Sequence, residues 1–114
     1  MSYQLRQTDA YLNDIDHLPI EIRENLLSKS HKHLEDNPRH PGLDSHQFEG
    51  IIKRKIWRSV INDKYRIAWW YETGNVIALW RVGIHEMIDG LAGTTNFPIV
   101  NRPQSIETNL TGSR

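Results

Sequence analysis

Basic and imidazole side chains are concentrated in the middle of this chain of 114 residues. Residues 38–85 hold eight basic and four acidic residues, a balance of +4, although the whole chain has a formal net charge of zero. The same segment contains His40, His46 and His85. A basic segment within a neutral chain favours a local surface for phosphate groups over a field that covers the whole protein. The alternative is a solvated sheet face with scattered Lys and Arg.

Arg66 is the charged residue with the most unusual surroundings, because it lies within an apolar run from Tyr65 to Tyr71. An arginine there must point to a sheet face that helices do not cover, or be paired. Arg58 precedes it on a neighbouring predicted strand, and His85 follows the next one. A guanidinium stabilises charge that develops on phosphorus, and an imidazole transfers protons at neutral pH. Together they suit phosphodiester cleavage.

RNA supplies its own nucleophile, the 2′-hydroxyl, so this chemistry predicts neither a metal nor a cofactor. The alternative is purely structural. In that case Arg66 and Arg81 pair with Glu72 or Glu49, and His85 only ends a strand.

Other site classes are excluded or disfavoured by composition and spacing. The chain has no cysteine, which excludes disulfides, thiolate zinc sites and thiol catalysis. His31 and His33 are two residues apart, a spacing that points them to different sides of a helix, so no metal site is predicted. No apolar run approaches the ~20 residues of a membrane helix, and no signal peptide is visible. We expect a cytoplasmic protein without a membrane partner.

The first 36 residues predict two short amphipathic helices that form a helical hairpin. Thr8 or Asp9 can cap the first helix, and Pro19 stands where the second can begin. The Asn37-Pro38 pair ends the second helix. Residues 38–50 contain two prolines and two glycines and predict a loop.

After Gly50 the apolar pattern changes to period two, which predicts strands at 56–61, 65–72 and 76–82 with tight turns between them. Residues 3–5 are a candidate edge strand. We therefore expect an α+β domain in which the helical hairpin packs on one face of a small antiparallel sheet. Trp57, Ile67 and Trp69 are expected on the covered face, and the other face is expected to be free for a shallow site.

The segment after residue 90 differs in composition from the rest of the chain. It is polar, rich in Gly, Pro and Thr, and without a sustained period. We predict a domain over residues 1–90 and a flexible tail over 91–114. The apolar residues at 97–100 suggest that a partner covers part of this tail.

Six short motifs follow one another over about residues 1–90. They are Leu18-Pro19, Asn37-Pro38-Arg39-His40-Pro41-Gly42-Leu43, Phe48-x-Gly50, Ile56-Trp57, Tyr65-Arg66-Ile67 and Arg81-Val82-Gly83-x-His85-Glu86. In this order and spacing they resemble the RelE/ParE superfamily of bacterial toxins. The resemblance implies a helical hairpin on a small sheet with a concave free face. It also implies a type II toxin–antitoxin system, with a cognate antitoxin protein as partner.

The superfamily has two functional branches. RelE-like members cleave mRNA in the ribosomal A site without metal, through attack by the 2′-hydroxyl, whereas ParE-like members poison DNA gyrase. The resemblance favours a ribosome-dependent endoribonuclease that inhibits translation, with ribosome and mRNA as partners. The alternatives are a ParE-like gyrase inhibitor and a catalytically silent, protein-binding member.

The resemblance also assigns roles to single residues. Arg66 matches the family's strand arginine that contacts the scissile phosphate, and His85 matches a position that holds Arg in some nucleases and His in others. Val60 stands where a basic residue is usual, but Arg58 lies two residues away on the same strand face. The expected catalytic residues are Arg66, His85 and Arg58. Arg66 would stabilise the transition state, and His85 would be the general acid or base. The expected RNA and phosphate contacts are Lys53, Lys55, Arg54 and Arg81.

Overall fold

The computed structural model describes residues 2–48 and 54–92. The predicted phosphate contact Lys53 therefore lies outside the described residues, and so do residues 93–114 of the tail predicted over 91–114. Within the described part of the chain, no helix is long and apolar enough to cross a membrane.

The first helix begins where the capping residues predict. Thr8 is the N-cap of α1 (Asp9–Asp16), and its side-chain oxygen accepts a hydrogen bond from the Tyr11 backbone N–H. A π-helical turn (Ile22–Leu26) leads directly into α2 (Leu27–Asp36). A third, short helix, α3 (His85–Asp89), follows the last strand and is not predicted by the sequence pattern.

Five strands form one sheet, in the spatial order β1-β5-β4-β3-β2. They are β1 (Gln4–Gln7), β2 (His46–Gln47), β3 (Trp57–Val60), β4 (Tyr65–Glu72) and β5 (Val76–Ile84). The predicted antiparallel meander is confirmed for β3, β4 and β5. β1 pairs with β5 in parallel, so the sheet is mixed and the prediction of a purely antiparallel sheet is wrong. The long connection between β1 and β5 permits this parallel pair, which a tight turn cannot form.

The α+β fold class is confirmed, whereas the helical hairpin stays a prediction. One hydrogen bond joins the two helical segments: the Tyr11 hydroxyl of α1 lies 2.6 Å from Nε2 of His31 in α2. Both residues are buried.

The main hydrophobic core lies between the helices and one face of the sheet. Ile67 and Trp69 of β4 are fully buried there, and Trp57 packs against the same cluster from β3. The Trp57 and Trp69 rings stack with centroids 5.7 Å apart. The prediction that these three residues share the helix-covered face is confirmed.

The opposite face of the sheet is partly covered, so the prediction of a free face is wrong. A second buried cluster lies there and consists of Ile56, Ala68, Trp70, Ala78, Trp80 and Ile88. Its cover includes α3, which supplies Ile88 and packs Met87 against Gly83. A Cβ atom on Gly83 would come within 2.6 Å of the Met87 Cε atom. The sequence pattern misses this layer because α3 is too short to show a helical period.

Beyond the end of β1, a side chain of α1 closes the exposed edge of β5. β1 pairs with β5 only as far as Leu79. The Val82 backbone N–H donates to a carboxylate oxygen of Asp14 at 3.0 Å. Arg81 donates to both oxygens of the same carboxylate, at 2.7 and 3.0 Å. The buried carboxylate is thus neutralised, and it satisfies a strand N–H that has no partner strand.

Candidate functional site

A polar groove of about 280 Å³ opens on the sheet face that carries the second cluster. Three parts of the chain contribute its walls: residues 44–46 at the start of β2, the strands β3 and β4, and the two ends of α3. Its lining consists of Asp44, His46, Arg58, Val60, Arg66, His85 and Asp89. All three residues predicted as catalytic are in this set.

The strand register explains why these side chains meet. Arg66 on β4 lies opposite Val60 on β3 and Gly83 on β5, and Arg58 lies two residues before Val60. Side chains two residues apart on a strand point to the same face. His85 begins α3 next to this row, and its backbone N–H donates to the Lys64 carbonyl at 2.9 Å. The sheet thus brings Arg58, Arg66 and His85 together.

The Arg66 side chain is half-buried and held by the turn between β3 and β4. Its Nη1 atom donates to the Asn62 carbonyl at 2.6 Å and to the Tyr65 carbonyl at 3.0 Å. The Asn62 side chain in turn accepts from the backbone N–H groups of Lys64 and Tyr65, both at 2.9 Å. A guanidinium has five N–H groups, and no residue among 2–48 and 54–92 accepts a hydrogen bond from the Nε and Nη2 groups of Arg66. Within this part of the chain, Arg66 is thus an oriented cation with donors available for an anion.

Arg58 is the second groove cation, and it has a carboxylate partner. Its Nη1 atom forms an ion pair with Oδ1 of Asp89. Its guanidinium carbon also lies 5.7 Å from the centroid of the Phe48 ring. The aromatic ring and the carboxylate together hold the guanidinium at the groove wall.

Two imidazoles line the groove, and each lies beside a carboxylate. His85 Nε2 is 3.4 Å from Glu86 Oε2, and His85 Nδ1 is 4.0 Å from Asp89 Oδ2. His46 Nε2 is 3.1 Å from Asp44 Oδ1. Histidine is the side chain best suited to proton transfer at neutral pH, so a pair of them can act as acid and base.

Sequence reasoning missed three members of the groove: Asp44, His46 and Asp89. His46 was noted only as part of the basic segment, because its loop shows no periodicity that would place it. The available signal was an ionisable Asp-Ser-His triplet within the loop predicted before the meander. Asp89 was missed together with α3, which carries it.

A partly buried hydrogen-bond chain anchors the segment that carries Asp44 and His46. The Ser45 hydroxyl donates to the Pro38 carbonyl at 2.7 Å and lies 2.7 Å from the hydroxyl oxygen of Ser59 on β3. Ser59 also accepts from the Trp69 indole N–H at 2.8 Å. The loop next to the groove is therefore tied to the main core.

A second cavity of about 430 Å³ adjoins the groove and shares His46, Arg58 and Asp89 with it. Its remaining walls are formed by Gln47, Phe48 and Ala92. The ion pair of Arg58 with Asp89 thus belongs to the lining of both cavities.

The other predicted phosphate contacts that are described lie outside the groove lining. Lys55 is exposed. The guanidinium carbon of Arg54 lies over the Trp70 ring, 4.5 Å from its centroid. The Nη1 atom of Arg54 lies 3.8 Å from Oε1 of Glu72. Arg81 is bound to Asp14, and these hydrogen bonds raise the pKa of Arg81 above its ordinary value. Arg81 does pair with an acidic residue, as the structural alternative expects, but the partner is Asp14. Glu49, which that alternative also names, lies outside the described residues.

Within residues 2–48 and 54–92, no three His, Asp, Glu or Cys side chains come together in a way that could hold a metal ion. The chemical resources of the groove are two guanidinium groups, two imidazoles and two carboxylates. Such a set can bind an anion and exchange protons with it.

Solved structures with the same fold include bacterial and archaeal toxins. The RelE–RelB complex of Pyrococcus horikoshii OT3 matches with a TM-score of 0.57 and 16% identity, over 74% of this chain and 96% of that chain. YafQ of E. coli strain BL21(DE3) matches with a TM-score of 0.61 and 11% identity, over 75% of this chain and 97% of that chain. The E. coli DinJ–YafQ toxin–antitoxin complex matches with a TM-score of 0.61 and 14% identity, over 77% of this chain and 98% of that chain.

The chain has the fold of RelE-type toxins. No protein-family model matches its sequence, and no curated protein does. The three structures contain RelE and YafQ toxins, so they lend no support to the ParE-like alternative. Because the sequence identities are low, these comparisons show only that the folds agree. The evidence for the chemistry of this chain is its own groove.

Proposed function

We propose that this chain is the toxin of a type II toxin–antitoxin system and that it is a ribosome-dependent, metal-independent endoribonuclease that cleaves mRNA. One observation carries the proposal: two arginines and two histidines line a single groove on a RelE-like fold. A groove of this composition suits a phosphodiester better than a neutral small molecule, because the guanidinium geometry matches phosphate oxygens.

In the proposed reaction, one imidazole removes the proton of an RNA 2′-hydroxyl. The 2′-oxygen forms a bond to phosphorus, and the bond to the 5′-oxygen breaks as the other imidazole protonates that leaving oxygen. The products are a 2′,3′-cyclic phosphate and a 5′-hydroxyl. His46 and His85 are the proposed acid–base pair, and Arg66 stabilises the charge on the phosphorane-like transition state.

Arg58 is proposed to contact a phosphate, together with Lys53, Lys55 and Arg54 in a flanking role. Arg81 has a smaller part in this proposal, since it is committed to Asp14. The proposed protein partner is a cognate antitoxin, because RelE and YafQ are found with RelB and DinJ in the solved complexes. A cytoplasmic location follows from the proposed ribosomal target.

A second candidate is a catalytically silent protein-binding member of the superfamily. The observation that favours it is the internal pairing of the groove: Arg58 with Asp89, and His46 with Asp44. A groove used only as scaffold would carry such pairs.

The test compares Arg66→Ala and His85→Ala with the unmodified chain, by growth arrest on expression and by toeprinting on translating ribosomes. Loss of Arg66 is expected to lower cleavage about 10²–10³-fold, and loss of His85 roughly 10²–10⁴-fold. Lys32→Ala is the matched control, because Lys32 is an exposed cation on α2 away from the groove. Thermal unfolding of each variant checks that it is folded.

Two results would count against the nuclease assignment. A folded double variant, Arg66→Ala with His85→Ala, that still arrests growth shows that the groove is not the source of toxicity. If adding the unmodified chain leaves the toeprint pattern of translating ribosomes the same, mRNA cleavage on the ribosome is excluded.

A further inference from the structure

The described groove lining is balanced in charge, which is unusual for a site that receives a polyanion. Arg58 and Arg66 contribute two positive charges, and Asp44 and Asp89 contribute two negative charges. Nucleic-acid sites normally gain affinity by neutralising phosphates with excess Lys and Arg. Here the carboxylates cancel that excess inside the groove itself.

Asp89 is the groove carboxylate that is best placed to interfere with RNA binding. Its Oδ1 atom forms the ion pair with Arg58, and its Oδ2 atom lies 4.0 Å from His85 Nδ1. One carboxylate therefore reaches a proposed phosphate contact and a proposed proton-transfer residue. A phosphodiester with two non-bridging oxygens would use the same donors, because carboxylate and phosphate fit a guanidinium in the same way.

The carboxylate of Asp89 can be displaced without unfolding the site. Its side chain is 50% exposed, and that of Arg58 is 38% exposed. Exposed ion pairs are weak, because water competes with both partners. The main chain of α3 is anchored independently by the fully buried Ile88. Rotation of the Asp89 side chain therefore suffices to free Arg58.

We propose that Asp89 is an internal competitor for the phosphate position at Arg58, so that RNA enters the groove by displacing this carboxylate. The inference rests on the proposed function, in which the groove receives an RNA backbone. Asp89 limits RNA affinity and thereby favours substrates whose other contacts position the phosphate well. RNA that is held only by its charge competes poorly with a carboxylate already in place.

The experiment measures binding of a short, fluorescently labelled single-stranded RNA with 2′-O-methyl riboses, which cannot be cleaved through the 2′-hydroxyl. Fluorescence anisotropy at low salt compares the full chain with Asp89→Asn. The matched control is Asp36→Asn, which makes the same change at an exposed position of α2. We expect Asp89→Asn to tighten binding about 3- to 10-fold and Asp36→Asn to change it less than about 2-fold.

A double-mutant cycle with Arg58→Ala separates direct competition from a general charge effect. In the Arg58→Ala background, Asp89→Asn is expected to lose most of its gain, because the position for which it competes is absent. A gain that persists there overturns the proposal. The proposal is also overturned if Asp89→Asn binds RNA only as tightly as the Asp36→Asn control does, or less tightly than the unmodified chain does. Weaker binding would instead make Asp89 a positioning residue for His85.

Failure of this inference and failure of the proposed function give different results. In one case Asp89→Asn tightens RNA binding through Arg58, while the double variant Arg66→Ala with His85→Ala still arrests growth. Asp89 is then a competitor in a groove that is not a nuclease site. If Arg66→Ala abolishes cleavage while Asp89→Asn leaves RNA binding unchanged, the nuclease proposal stands and the competitor role is wrong. Thermal unfolding confirms that the Asn variants are folded.

Discussion

The His31 imidazole is buried in the helical layer, where protonation would leave a charge without solvent. Burial lowers the pKa of His31 from 6.5 to about 3, and burial of its partner Tyr11 raises the pKa of that phenol well above its ordinary value. Their hydrogen bond of 2.6 Å therefore joins two neutral groups at physiological pH. Neither residue lines the groove, so the pair serves the fold.

This pair predicts a loss of stability in mild acid. Well above pH 6.5 His31 is neutral in both states and contributes no pH dependence. Between pH 6.5 and about 3 the unfolded chain binds a proton that the folded chain excludes. The free energy of unfolding then falls by up to about 1.4 kcal/mol per pH unit as the pH decreases.

Urea unfolding at neutral pH and at pH values below 6.5 measures this effect. His31→Gln is the control, because its amide oxygen can accept from Tyr11 but does not titrate. The unmodified chain is expected to lose more stability in acid than His31→Gln. Equal losses in both proteins would contradict the assignment to His31.

At the scale of single elements, the edge of β5 depends on one carboxylate from another layer. Removing Asp14 leaves the Val82 N–H without its acceptor and the half-buried Arg81 without its counter-ion. We expect Asp14→Ala to lower the free energy of unfolding by roughly 2–4 kcal/mol. Asp16→Ala, at an exposed position of the same helix, is expected to have a small effect. Chemical denaturation of the two variants makes the comparison, and equal stabilities would refute the edge role.

The packing of helices on the sheet depends on the large side chains of β4. Trp69 is fully buried between Trp57 and the helical layer, and its indole N–H is bonded to Ser59. Trp69→Ala is expected to lower the free energy of unfolding by about 3–5 kcal/mol. Ile20→Ala is a suitable control, because Ile20 is 58% exposed. Unchanged melting of Trp69→Ala would show that this cluster does not hold the two layers together.

At the scale of the whole molecule, the described residues form one α+β unit with the groove on the sheet face opposite the main core. Under the proposed function, the cell that makes this chain must restrain it, and we propose a cognate antitoxin for that purpose. Expression of the chain alone is expected to arrest growth, and coexpression with the product of the adjacent gene to restore it. The Arg66→Ala chain serves as the non-toxic control. Normal growth with verified, folded protein would favour the silent binding member.

Local sequence patterns determined much of the architecture. The hydroxyl of Thr8 begins α1, and the turns at Asn62 and at Gly74, whose φ is +72°, connect strands of period two. Capping, turn formation and alternation depend on residues that are neighbours in the chain, so they are visible without a structure. The position of Arg66, on a strand face with Arg58, follows from the same alternation.

Tertiary structure alone decided what surrounds those arginines. The parallel pairing of β1 with β5, the packing of α3 by Ile88, and the approach of His46 and Asp89 to Arg58 join residues that are far apart in sequence. Such contacts depend on register and on side-chain direction, which a single sequence encodes only through the packing of the complete chain. The sequence alone determined the first helix, the strands of the meander and the basic strand residues. Folding decided that Arg58 meets Asp89 and that the turn at Asn62 holds Arg66, because the partner of a charge is chosen by three-dimensional proximity.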